Sequence, residues 1–134
     1  MSTFTGIEDA RAYFEGDRFA FNAGVCIDDI GPNRAVCHFD VTPEHLNAEN
    51  RVMGGAIFTL IDLTFAVAAN NVHRPTVAQQ VSVNYLSASR GAKLIATAHC
   101  VKDGRATCVY NIDVVDNLGR DIAQAVVTGY KVTV

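Results

Sequence analysis

One carboxylate stands inside an otherwise apolar stretch: Asp62, close to the middle of residues 52–69, VMGGAIFTLIDLTFAVAA. At helical spacing its neighbours three and four positions away are Phe58, Thr59, Phe65 and Ala66, so it lacks an ordinary solvated face. Burying a carboxylate without a partner is costly and raises its pKa, which suits a group that must accept a proton or attack an electrophile. The structural alternative is a core Asp bonded to a backbone group or to a nearby Asn. Gly54 and Gly55 open the same helix, where backbone N–H groups lack intrahelical acceptors and the helix dipole is positive. Without a Cβ, Gly54 lets a carbonyl oxygen approach its N–H, which makes it a candidate oxyanion donor. Gly55 is expected beside the bound ligand, its small size serving close packing.

These groups need a scaffold. Residues 7–21 carry apolar side chains at roughly helical spacing and predict one N-terminal amphipathic helix. Two strand-like runs follow around the turn at residues 31–33, and residues 42–51 are polar and irregular. The apolar helix is expected to end near Asn70 and Asn71, with Asn as its C-cap. Strands are predicted over residues 76–86, 92–102, 105–115 and 120–132, joined by tight turns that include Asp103-Gly104. Consecutive strands pair as an antiparallel meander, and a helix that is apolar all round must be wrapped. The predicted fold class is therefore α+β, an antiparallel sheet wrapped around a long central helix, as a single domain over residues 1–134.

Composition excludes several classes. The 134 residues suffice for one core rather than two, and 49% hydrophobic with 19% charged residues reads as globular. A net charge of −3 argues against a nucleic-acid partner. Asp62 would cost roughly 2.5–3.5 kcal/mol at the centre of a bilayer, so residues 52–69 read as a core helix and no membrane partner is expected. The N-terminus has no basic segment followed by an apolar one, which predicts a cytoplasmic protein whose four cysteines are reduced and buried in strands. His38, His73 and His99 show no metal-ligand spacing, so no metal site or cofactor is expected. There is also no Gly-x-Ser-x-Gly elbow for a serine hydrolase and no phosphate loop.

The stretch His45-Leu46-Asn47, then Met53-Gly54-Gly55-Ala56-Ile57-Phe58, Asp62, Ala66 and Ala69-Asn70 closely resembles hotdog-fold thioesterases of the phenylacetate-pathway type. The later VNYLSASRGAKL, residues 83–94, resembles that family's strand and turn, and the resemblance covers nearly the whole chain. It implies the hotdog fold and hydrolysis of a small, medium-chain or aryl acyl-CoA. Asp62 would be the nucleophile or general base, with Asn47 orienting the carboxylate's target or the attacking water. His45 and Gly55 would sit at the substrate, and Arg90 is a candidate partner for the nucleotide phosphates. Gly54 and Asp62 are eight positions apart, about 12 Å along one helix, so a single carbonyl cannot touch both. Both act on one thioester only if they come from different subunits of a two-fold homodimer. The resemblance implies the same layout, often as a homotetramer.

Three positions depart from the family pattern. Met53 stands where a His usually precedes the glycines, and Asn50 stands where a Gly is common, which the tolerance of Asn for left-handed backbone allows. Ala78 falls near a position where some relatives carry a Ser or Thr that contacts the nucleophile. Two alternatives follow: a non-catalytic acyl-thioester binder, and a hotdog dehydratase or hydratase, which would need a His that Met53 displaces.

Overall fold

The computed structural model describes residues 2–133, and the first and last residues of the expected 1–134 domain lie outside that span. The chain runs α1 (Ile7–Phe14), α2 (Arg18–Asn22), β1 (Cys26–Gly31), β2 (Arg34–Asp40), a 3-10 turn (Pro43–His45) and α3 (Gly54–Val72). It continues with β3 (Thr76–Tyr85), β4 (Lys93–Asp103), β5 (Thr107–Asp116) and β6 (Asp121–Lys131). All six strands form one antiparallel sheet in the order β1-β2-β4-β5-β6-β3.

The meander expected after the helix holds for β4, β5 and β6 but not for β3, which pairs with β6 at the far edge. α3 carries the chain across the concave face of the sheet, so β3 lands at the opposite edge. β4 then returns to the place beside β2. Alternation along the strands sends small and branched residues inward: Ala35 and Cys37 on β2, Leu94, Ala96 and Ala98 on β4, Ile112 and Val114 on β5. These pack against Leu60, Ile61, Phe65, Val67 and Ala68 of α3. Gly129 on β6 leaves room for the helix: a Cβ there would lie 2.7 Å from Phe65 Cζ and 2.8 Å from Cys108 Sγ. Phe65 uses that room to meet Tyr110 edge-on, with ring centroids 5.6 Å apart.

Four local expectations are corrected. The single N-terminal helix is two, broken around Gly16, whose weak helix propensity lets the chain turn before Asp17 opens α2. Asn70 and Asn71 do not cap α3, which runs on to Val72. Instead the Asn70 amide donates to Ala66 O at 2.8 Å and Thr76 O at 3.1 Å, while its Oδ1 accepts from Thr76 N at 2.8 Å. That side chain ties the helix end to β3. The helix is also not buried all round: the sheet curls against it as expected but covers one side, and Gly55, Phe58 and Asp62 stay exposed on the other. Of the four cysteines, all unpaired, only Cys37 and Cys108 are buried, while Cys26 points to the outer face of β1 and is exposed.

Candidate active site

The uncovered side of α3 brings Asp62 to the meeting point of two grooves. The first, about 270 Å³, lies under α2 and is lined by Asp17, Arg18, Phe19 and Ala20 facing Phe58, Thr59, Asp62 and Leu63. The second, about 410 Å³, opens towards β3 and is lined by Tyr13, Phe14, Asp17, Asp62, Phe65, Ala66, Asn70, Pro75 and the first residues of β3, Thr76 to Ala78. The groove walls strip water from the Asp62 carboxyl and raise its pKa, and the negative charge of Asp17 raises it further. The burial expected for Asp62 is thus partial: the group is desolvated along its flanks yet open to a ligand. Ala78 lines the same groove but offers only a methyl, so no hydroxyl reaches the carboxylate from that position. A bulge between Ala78 and Gln80 bends the strand at this point.

At the start of α3 the local sequence leaves donors free. Met53 O accepts from Ala56 N at 3.0 Å and Ile57 N at 3.2 Å. Among the described residues, the N–H groups of Gly54 and Gly55 have no intrachain acceptor. The packing role expected of Gly55 belongs to Gly54 instead. Gly55 is exposed, and a Cβ there would meet only the Met53 side chain. A Cβ on Gly54 would come within 3.3 Å of the Tyr85 ring. Tyr85, at the end of β3, also donates its hydroxyl to Gly54 O at 3.0 Å. This contact went unforeseen because it joins residues 31 positions apart and depends on where β3 ends. Met53, in the place of the family's His, is exposed at the mouth of this turn.

The loop before α3 is organised by its own polar side chains. Asn47 Oδ1 accepts from Glu49 N at 2.9 Å and Arg51 N at 3.1 Å, so its carbonyl closes the loop while its amide N–H groups remain available. Asn50 adopts the left-handed backbone expected of it, with φ 58°. His45, expected at the substrate, does not line either groove. It is buried, Nδ1 accepts from Thr42 N at 3.0 Å, Nε2 donates to Ala23 O at 2.6 Å, and the ring lies 4.2 Å from that of Phe39. With both nitrogens engaged it props the loop against β2 and offers a ligand nothing.

Arg90 lies in the loop between β3 and β4, its side chain exposed. The loop is held by a residue that sequence reasoning missed. Asp116 is buried, and its carboxylate accepts from the N–H groups of Arg90, Gly91, Leu118 and Arg120 at 2.9–3.1 Å. Burial alone would raise its pKa, but these four donors outweigh it and hold the carboxyl below the usual range. The Asp-Asn-Leu-Gly turn signal was legible, but its reach back to residues 89–93 was not. Among the described residues no group of three His, Cys, Asp or Glu side chains is arranged to hold a metal ion.

A proton-accepting carboxylate, an amide with free donors and two unpaired backbone N–H groups are the parts needed for acyl transfer to water. The thioesterase superfamily profile matches residues 49–123, the span that carries α3 and most of the sheet. A protein of Archaeoglobus fulgidus, provisionally described as an esterase, is 42% identical over 93 residues, covering 69% of this chain and 60% of its own length. The acyl-coenzyme A thioesterase PaaI of Escherichia coli is 32% identical over 117 residues, covering 87% and 84% of the two chains. Its structure superposes with a TM-score of 0.87 over 92% of this chain and 91% of that one. A hypothetical thioesterase of Streptococcus pneumoniae solved with coenzyme A is 27% identical, with a TM-score of 0.80 over 87% of this chain and 94% of its own. The sheet and central helix are thus the hotdog fold, and the chain belongs to the thioesterase superfamily, a family of thioester hydrolases.

Proposed function

We propose that the protein hydrolyses the thioester of a small, medium-chain or aryl acyl-CoA at sites shared between two copies of the chain. The observation that carries this reading is the position of Asp62: a carboxylate of raised proton affinity, open to a ligand, where two grooves meet. The kinship with PaaI and with a coenzyme A-bound thioesterase supports the substrate class. In one route Asp62 removes a proton from water as the oxygen bonds to the carbonyl carbon. The tetrahedral oxyanion then collapses, the C–S bond breaks, and the CoA thiolate leaves and takes up a proton. In the other, Asp62 attacks directly and water cleaves the resulting anhydride. In both, Gly54 N–H from the partner subunit holds the oxyanion, and the Asn47 amide orients the carbonyl or the water. Phe19 and Phe58 provide apolar walls for the acyl group, and Arg90 reaches for the nucleotide phosphates.

A geometric argument supports the second copy. The eight positions between Gly54 and Asp62 span about 12 Å of helix, too far for one carbonyl. The exposed stripe of Gly55, Phe58 and Asp62 is the face across which an antiparallel α3 would complete the site. Two such dimers would make the homotetramer, and four unpaired thiols suit a reducing cytoplasm.

The test follows ultraviolet loss of thioester across short, medium, long and aryl acyl-CoAs. Wild type is expected to turn over at least one of them. Folded Asp62→Asn and Asp62→Ala are each expected to be slower by about a hundredfold or more. Full activity in either variant would remove Asp62 from the chemistry. Binding without turnover by wild type would make the protein an acyl-CoA binder instead.

A further inference from the structure

We propose that Asp17 is a positioning residue for the reaction, a second carboxylate that shares both grooves with Asp62 and holds it ready to accept a proton. This rests on the proposed role of Asp62. Three observations lead to it. Asp17 lines both of the grooves that Asp62 lines, so the two carboxylates border the same two spaces. It occupies the N-cap of α2, yet its side chain makes no capping hydrogen bond, the ordinary use of an Asp at that place. And it lies in the break around Gly16, between the end of α1 at Phe14 and the start of α2 at Arg18.

The electrostatics agree. Asp17 is desolvated enough to have its own pKa raised, and among charged groups it is the one that acts on Asp62. Arg18 on α2 lines the first groove and Tyr13 on α1 lines the second. Pro75 and the first residues of β3, Thr76 to Ala78, bring no ionisable side chain. On α3 itself Phe58, Thr59, Phe65, Ala66 and Asn70 bring none either. No Lys, Arg or His among the described residues forms an ion pair with either carboxylate. When Asp17 is ionised, a proton on Asp62 relieves the repulsion between them, so Asp62 is a stronger base than its groove walls alone would make it. The proton removed from water therefore rests on Asp62 at less cost until the thiolate leaves.

The test replaces Asp17 with Asn, which keeps the shape and removes the charge, and with Glu, which restores it. Two readouts are taken: the pH profile of kcat/KM, and the titration of Asp62 followed by carboxyl 13C shifts in aspartate-labelled protein. Asp17→Asn is expected to move the acidic limb and the Asp62 titration to lower pH by about half a unit or more. Asp17→Glu is expected to return both towards wild type. An Asp62 titration that stays in place in folded Asp17→Asn would overturn the proposal. The carboxyl titration needs no substrate, so it decides the matter even if no acyl-CoA is hydrolysed, an outcome that would sink the thioesterase reading instead.

Discussion

At the scale of single residues, the site depends on side chains doing one thing each. Asp62 has no partner and keeps its proton affinity. His45 has two partners and is spent on holding a loop. Tyr85 is the informative case, because its hydroxyl donates to the carbonyl of the Gly54–Gly55 peptide. That bond and the ring packed against Gly54 hold the first turn of α3 in place, and with it the direction of the Gly54 N–H. Tyr85→Phe keeps the ring that packs on Gly54 and deletes only the donor. The expected outcome is a folded protein whose kcat falls about three- to tenfold with little change in KM, read by steady-state kinetics. An unchanged kcat would show that the ring alone positions the turn. Asp62 and Gly54 were legible in the sequence because a carboxylate in an apolar run and a glycine at a helix start are anomalies of type and place. Asp17 and Tyr85 were not, since an Asp within a predicted amphipathic helix and a Tyr in a strand are ordinary until the fold brings them to α3.

At the scale of elements, the central helix and all six strands were readable from alternation and turn signals. The pairing of β3 was not, because local pattern says nothing about which edge a crossover reaches. The N-terminal break was missed for a related reason. One Gly in a helical pattern is tolerated in many helices, so Gly16 alone did not announce the break between α1 and α2. The loop between β3 and β4 makes a prediction of its own. Asp116 anchors it through four backbone donors, and its carboxyl is held below the unfolded value. A depressed folded pKa contributes stability that is complete above the unfolded value, about 3.9, and is lost as pH falls through the folded one. Asp116→Asn removes that contribution. The variant is expected to melt lower than wild type at pH 7, with the gap in Tm narrowing as the pH is taken below 4. A gap independent of pH, measured by thermal melts, would mean that shape rather than charge holds the loop.

At the scale of the whole molecule, one sheet curled on one helix leaves a stripe of that helix open, and this stripe contains Asp62. A second copy would cover the stripe and supply the glycine N–H that Asp62 cannot reach on its own helix. Gly54 can be tested without a side chain to delete: it is the first residue of α3, where the backbone accepts a Pro that lacks the N–H in question. Its Cβ would lie 3.3 Å from the Tyr85 ring and requires that ring to give slightly. Met53 already has the extended backbone that a following Pro requires, with φ −66° and ψ 140°. The decisive measurement mixes two inactive, folded variants, Asp62→Ala and Gly54→Pro, by co-refolding, and assays the mixture on the preferred acyl-CoA. With sites shared across the interface, half of the dimers are mixed and each has one intact site, so about a quarter of wild-type activity returns. A mixture as inactive as its parents would contradict the shared site and place both groups in one chain.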